Sequence, residues 1–219
     1  DGFSSPYQWA LLIMGLLYMC TGVFLLRGVL LHFFTDGVTA VVLIIIVFGT
    51  NYFFQAGLDP TMPHNFLFTL NCMIILMTIN WHKNPRWHYA VLLGLFLGCG
   101  IICRPTQVLW LIIPMLWNVV DKQSLYDKIK LIRTHRLHLF GLITSLVLTG
   151  SLQLFYWKYT SGDWFSYNHG EGFSFLEPYT LQFLFSYKKG WLLYTPVMLF
   201  ALAGFFSSSM PRKSFFIPS

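Results

Sequence analysis

The stretch Gly57-Leu58-Asp59-Pro60-Thr61-Met62-Pro63-His64 is a short polar island between two long apolar runs. It combines a carboxylate, an imidazole and two prolines, and the prolines prevent a helix from continuing between Asp59 and His64. The apolar runs on either side are typical of helices that cross a membrane. Titratable groups at the edge of a membrane are costly unless they are paired or used, so the island is a candidate functional site.

The overall composition indicates an integral membrane protein. Of the 219 residues, 56% are hydrophobic and only 10% are charged, whereas a soluble domain typically has about 25% charged residues. The mean hydropathy is +0.61. The four cysteines lie inside apolar runs and lack CxxC metal spacing, so we interpret them as packing residues. The chain begins at Asp1 in the middle of a pattern, and we interpret it as a piece of a longer protein.

About seven transmembrane helices are predicted, and they form one all-α polytopic domain over residues 1–219. A hydrocarbon core of about 30 Å requires roughly 20 mostly apolar residues per helix. The predicted spans are residues 9–26, 38–54, 66–79, 89–103, 108–120, 139–157 and 190–206. Residues 158–189 are predicted to form a long loop. In the fourth span, Gly94, Gly98 and Gly100 are spaced to let helix backbones approach closely.

The lysines and arginines predict the orientation. The segments after spans one, three, five and seven carry Arg27, Lys83, Arg86, Lys122, Lys128, Lys130, Arg133, Arg136, Arg212 and Lys213. The other side carries only Arg104, Lys158, Lys188 and Lys189. The first side is therefore predicted to be cytoplasmic, with the N-terminus outside and the C-terminus inside. This distribution explains the pI near 9.2 without nucleic-acid binding.

The segment 121–138 is the most charged part of the chain and is predicted to be an amphipathic helix on the cytoplasmic surface. Its Leu125, Ile129 and Ile132 are spaced to lie on one helix face. Its basic residues suit anchoring on anionic lipid. The histidines His32, His82, His88, His135 and His138 have no ligand spacing and receive no predicted role.

On the outer face, Asp59 and His64 are the candidate catalytic residues. A carboxylate on a stiff turn can bind a divalent cation, accept a hydrogen bond from a sugar hydroxyl, or act as a general base. The alternative is an ordinary turn in which Asp59 caps the following helix and His64 lies at the membrane interface.

Positive charge on the same face suits a phosphate. Arg104 stands where Pro105 interrupts the apolar pattern and frees backbone groups, so we favour phosphate recognition over an arginine that extends to the lipid headgroups. Lys188 and Lys189 could likewise neutralise a phosphate, or could anchor the seventh span.

The outer loop is rich in aromatic, polar and glycine residues. Aromatic faces beside hydrogen-bonding groups suit a sugar ring or a lipid headgroup. The alternative is an interfacial aromatic belt followed by a surface loop. The candidate substrate-binding residues are Asp163, Trp164, Tyr167, His169, Glu171 and Glu177.

These patterns resemble bacterial family C membrane glycosyltransferases, and within them the branch similar to protein O-mannosyltransferases and aminoarabinose transferases. The resemblance rests on the acid-Pro-x-Met-x-His loop and the Arg104-Pro105-Thr106 break. It also rests on Phe3-Ser4-Ser5-Pro6-Tyr7-Gln8, Glu171-Gly172-Phe173-Ser174-Phe175-Leu176-Glu177-Pro178 and Tyr187-Lys188-Lys189-Gly190.

The resemblance implies an enzyme of the bacterial inner membrane that transfers a sugar from a polyprenyl-phosphate donor to a glycan, lipid or protein acceptor on the outer face. Asp59 matches the family's second outer-loop acid, and Arg104 matches its basic phosphate-binding break. The family's main catalytic acid would lie upstream of Asp1, so the fragment alone is expected to be inactive. Apart from a divalent cation, no cofactor is expected.

Two other classes of protein fit the same sequence. A transporter or flippase for lipid-linked sugars would also use broken helices and charges, but its charges would lie near the membrane midplane. Here the predicted span centres carry almost no charge. The third class is a membrane assembly subunit without activity.

Overall fold

The computed structural model describes residues 4–60, 62–166, 179–188 and 190–206. Within those ranges every regular element is a helix, as predicted. The elements are α1 (Ser5–Leu30), α2 (Asp36–Gly49), α3 (Tyr52–Gly57), α4 (His64–Lys83), α5 (Trp87–Cys103), a 3₁₀ segment (Pro105–Leu111), α6 (Ile112–Leu116), α7 (Lys122–Thr134), α8 (Arg136–Ser161), α9 (Thr180–Phe185), α10 (Trp191–Tyr194) and α11 (Met198–Phe206).

Two of the described helices, α1 and α8, are long and apolar enough to cross a membrane. Only 11% and 6% of the residues in their most apolar windows are buried. Their apolar side chains therefore face the surroundings of the bundle, which suits lipid contact. The helices α2 and α5 are apolar but shorter. These features support a membrane protein, while the number of spans and their orientation remain predictions.

Helices α1 and α4 run parallel, with α2 and α3 between them in the chain. Gly15 of α1 lies against Pro60, just before α4, and Gly22 lies against Thr69. Further along, Val29 shares a buried cluster with Ile79. The Thr69 hydroxyl donates to the backbone carbonyl of Tyr18 at 3.0 Å, which joins the two helices directly.

Helices α5 and α8 also run parallel and pack closely, because glycines remove side chains from their interface. A Cβ atom on Gly94 would overlap the Leu142 carbonyl oxygen and the Ser145 hydroxyl. A Cβ atom on Gly98 would lie 2.7 Å from the Cβ of Thr149. The predicted close approach is confirmed for Gly94 and Gly98, with α8 as the partner, whereas a Cβ atom on Gly100 would lie 3.6 Å from Gln107, an ordinary contact.

Because α5 and α8 run in the same direction, the chain must cross back from the end of α5 to the opposite end of the bundle before α8 begins. The segment 105–116 makes this crossing. Gln107 lies against Gly100 near the end of α5, and Pro114 is contacted by Lys128 at the opposite end. A 3₁₀ helix rises about 2.0 Å per residue, so this form helps a short segment to cover the distance. The prediction of one continuous helix over 108–120 is therefore wrong. The chain forms a 3₁₀ segment followed by a short α-helix that ends at Leu116.

Two other predicted spans are interrupted. The segment 38–54 divides into α2 and α3 at Thr50, which has an extended backbone and whose hydroxyl accepts from the Tyr52 amide at 3.2 Å. The segment 190–206 divides into α10 and α11 at Thr195-Pro196. By contrast, the third predicted span is longer than expected, because α4 continues to Lys83 before Asn84-Pro85 ends it.

The directions of the four long helices place the turn before α4 and the C-terminal ends of α5 and α8 at one end of the bundle. We call it the site end. The opposite end contains α7 and the turn between α4 and α5. At that end an exposed salt bridge of 3.2 Å joins Arg27 to Asp36.

Candidate functional site

Asp59 and His64 lie five residues apart at the site end. Asp59 is half-buried in the turn between α3 and α4, and its carbonyl oxygen accepts from the Met62 amide at 3.2 Å. His64 is half-buried and is the first residue of α4, with Pro63 as the N-cap residue. The N-cap position of α4 is thus occupied by Pro63, which has no polar side chain, and Asp59 lies four residues before it.

Arg104 lies at the break after α5, as predicted. Its backbone is extended, its amide donates to the Gly100 carbonyl at 2.9 Å, and its carbonyl accepts from the Gln107 amide at 2.9 Å. The backbone is thus held on both sides of the break while the residue itself is exposed. Such a side chain can contact a phosphate from solvent or from the headgroup region.

Arg104 and Asp59 both act electrostatically on His64. The pKa of His64 is lowered, first by burial and then by the positive charge of Arg104, while the negative charge of Asp59 acts in the opposite direction. The Asp59 carboxylate and the Arg104 guanidinium are therefore both within electrostatic range of the neutral His64 imidazole at the site end. This set can accept a proton and bind an anion.

The turn that carries Asp59 packs directly on α1. A Cβ atom on Gly15 would lie 2.7 Å from the Cβ of Pro60 and 2.8 Å from the Ala56 carbonyl oxygen. The position of the Asp59 carboxylate therefore depends on a residue without a side chain at position 15.

Buried amide groups extend from the site into the bundle. Asn65 is 0% exposed, and neither atom of its amide has a hydrogen-bond partner within the part of the chain that the structure describes. The same holds for the side-chain oxygens of Asn71 and Gln107. Buried polar groups of this kind normally hold ordered water or a ligand group.

The outer-loop candidates are described only in part. Asp163 and Trp164 are exposed just after α8, where the Trp164 ring lies against Phe155 and beneath the Lys158 amine at 5.8 Å. Lys188 is exposed, and its amide donates to the Ser186 hydroxyl at 3.2 Å. The predicted residues Tyr167, His169, Glu171, Glu177 and Lys189 lie outside the described residues. The roles of all of them remain predictions.

A second polar cluster, at the opposite end, is not anticipated by the sequence analysis. The Lys128 amine contacts the His82 ring nitrogen Nε2 and donates to the Pro114 carbonyl at 2.8 Å. The Trp81 indole donates to His138 at 3.3 Å. A sequence signal exists, because Lys128 stands within the apolar stripe formed by Leu125, Ile129 and Ile132.

Residues 3–153 match the family model described as dolichyl-phosphate-mannose-protein mannosyltransferase. The match includes Asp59, His64 and Arg104 and ends within α8. Neither the curated proteins nor the solved structures give a match. The chain belongs to the dolichyl-phosphate-mannose-protein mannosyltransferase family.

Proposed function

We propose that this protein is a family C glycosyltransferase that moves a sugar from a polyprenyl-phosphate-linked donor to an acceptor on the outer face of the bacterial inner membrane. The observation that carries the proposal is the electrostatic grouping of Asp59, His64 and Arg104 at one end of an all-helical bundle. The proposal includes seven spans, with this grouping on the outer side.

Membership of the family supports this reaction class. The family suggests a mannosyltransferase-like glycosyltransferase, and it implies in general terms a lipid-linked sugar donor and an acceptor. The apolar helices α1 and α8 suit a membrane protein. A donor held in the bilayer can then reach a site at the end of the bundle by lateral diffusion.

The proposed reaction requires a base and a positive charge. The acceptor hydroxyl oxygen forms a bond to the anomeric carbon of the sugar, and the bond from that carbon to the phosphate oxygen breaks. Its electron pair leaves with the polyprenyl phosphate, next to the Arg104 guanidinium. The hydroxyl proton passes to a base, for which Asp59 and the neutral His64 are the candidates. Trp164 and Asp163 lie after α8 as candidate sugar contacts, and Lys188 as a second phosphate contact.

Sugar transfer tests the proposal. Membranes that contain the full-length protein are given a radiolabelled polyprenyl-phosphate mannose, and wild type is compared with Asp59→Asn and Arg104→Ala. We expect each variant to lose about 100-fold or more of the transfer rate, the range typical of acid–base and electrostatic groups. The matched controls are Asp36→Asn and Arg27→Gln, because this exposed pair lies at the opposite end and such pairs stabilise proteins little.

The outcomes separate the classes of protein. Transfer by wild type with loss in both site variants, at normal membrane levels, supports the enzyme and its site. Full activity in both variants overturns the site assignment. Movement of lipid-linked sugar from one leaflet of the vesicle membrane to the other, without transfer to any acceptor, identifies a flippase instead.

A further inference from the structure

Helix α7 has a fixed place in the bundle. The segment that ends at Leu116 precedes it, and α8 begins at Arg136 directly after it. Its N-terminus is closed by a capping box, in which the Asp121 carboxylate accepts from the Ser124 amide at 2.8 Å and the Ser124 hydroxyl accepts from the Asp121 amide at 2.9 Å. Because both neighbouring segments belong to the apolar bundle, α7 lies at its edge.

One side of α7 faces the protein, and a lysine stands at its centre. Lys128 is only 7% exposed, and its amine reaches His82 of α4 and the Pro114 carbonyl of α6. Leu131 and Ile132 flank it on the same side and are half-buried. These contacts set the rotation of α7 about its own axis, so the remaining faces are determined.

Two exposed stripes follow from that rotation, one on each flank. Lys122, Tyr126, Ile129 and Arg133 are spaced at i, i+4, i+7 and i+11 and form what we call the basic stripe. Gln123, Asp127, Lys130 and Thr134 have the same spacing and form the neutral stripe. On the neutral stripe the Gln123 amide donates to the Asp127 carboxylate at 3.4 Å.

The stripes differ in the surroundings that they suit. The basic stripe has two cations, a tyrosine and an isoleucine, with no acid, and its Tyr126 and Ile129 are 66% and 41% exposed. Basic residues together with aromatic and aliphatic side chains are typical of helices that lie in the headgroup region of a bilayer. The neutral stripe has one charge of each sign and amide and hydroxyl groups, which suit water.

We propose that α7 is a membrane-surface helix whose basic stripe binds the headgroups of anionic phospholipids, while its neutral stripe faces water. The Lys128 contacts hold the helix in the required rotation. Anionic headgroups attract lysine and arginine near the surface, and Tyr126 and Ile129 enter the boundary between headgroups and acyl chains. This proposal is independent of the sugar transfer proposed above.

Spin labels on the two stripes test the proposal. In a full-length protein whose native cysteines are replaced by serine, Ile129→Cys and Asp127→Cys carry a nitroxide on opposite flanks of α7, two residues apart. The protein is reconstituted in vesicles of phosphatidylcholine with or without phosphatidylglycerol. With phosphatidylglycerol we expect the label at 129 to be several-fold more accessible to oxygen than to a water-soluble nickel chelate. The label at 127 is expected to favour the nickel chelate.

Matched charge variants separate lipid binding from simple burial. Arg133→Gln is expected to reduce the change that phosphatidylglycerol causes in the accessibility of the label at 129 to the two reagents. Lys130→Gln, on the neutral stripe, is expected to leave that change as it is in the wild type. Equal accessibility of the two labels in both kinds of vesicle would overturn the proposal. So would shielding of the label at 129 from both reagents, because a protein partner would then cover the basic stripe.

Discussion

At the scale of single residues, Lys128 is the least expected side chain of the described structure. It is buried where the periodicity of α7 favours an apolar residue, and its neighbour His82 comes from a helix 46 residues earlier in the sequence. Burial lowers the pKa of Lys128 from 10.5 to about 8. The fold therefore disfavours the protonated amine.

The lowered pKa predicts how stability depends on pH. Below about pH 8 the amine is protonated in both states, and the fold bears the full cost of burying the charge. Between about pH 8 and 10.5 the unfolded chain binds more protons than the folded chain, so the free energy of unfolding rises with pH. The whole rise is at most about 3.5 kcal/mol, at about 1.4 kcal/mol per pKa unit.

Thermal unfolding of the detergent-solubilised protein across this pH range measures the effect. The control is Lys128→Met, which keeps the length of the side chain and removes the titration. We expect the unfolding temperature of the wild type to rise with pH relative to that of the variant. The same pH dependence in both proteins would contradict the prediction.

A second prediction at this scale concerns Gly15. It rests on the proposed function. Gly15→Ala places a Cβ atom too close to Pro60 and to the Ala56 carbonyl oxygen, so the turn that carries Asp59 must shift. We expect the transfer rate per folded molecule to fall about tenfold or more, because small displacements of catalytic groups are costly. Gly28→Ala is the control, since its nearest neighbour, Leu76, would be 3.8 Å away. Equal loss in both variants would contradict the role of Gly15.

At the scale of elements, the glycines of α5 and α8 differ in their surroundings. Gly94 has no room for a Cβ atom against α8, whereas a Cβ atom on Gly150, within α8, would meet nothing within 4 Å. The two positions therefore separate helix propensity from helix packing.

Alanine at these two positions should have opposite effects on stability. Gly150→Ala is expected to raise the free energy of unfolding by about 1 kcal/mol, the difference in helix propensity. Gly94→Ala is expected to lower it by about 1–3 kcal/mol, because the overlap with Leu142 and Ser145 forces the helices apart. Unfolding of the two variants in the same detergent, measured by circular dichroism, checks the signs. A stabilising Gly94→Ala would contradict the packing.

At the scale of the whole molecule, the helical class and the breaks at prolines were predictable, because composition and proline act locally, whereas the break at Thr50 was not predicted. The breaks at Asp59-Pro60 and Arg104-Pro105 lie where the prolines indicated. The partners of α1 and α5 were not predictable, since glycine spacing predicts a close approach but not the partner helix. The contact of Lys128 with His82 was not predictable either, because the two residues lie 46 positions apart in the sequence and meet only when α7 packs on α4. The 3₁₀ form of residues 105–111 depends on the distance that the segment must cover, which is a property of the assembled bundle.

The predicted topology is the remaining property of the whole molecule, and it can be tested directly. Seven spans place Asp163, after α8, on the outer side of the membrane and Gln123, in α7, on the cytoplasmic side. Both residues are exposed, so Asp163→Cys and Gln123→Cys in the protein without native cysteines should both react once the membrane is opened. In intact cells, an impermeant maleimide is expected to label position 163 alone. Labelling of position 123 alone would reverse the orientation, and equal labelling of both would remove a crossing between them, which would contradict the span assigned to α8.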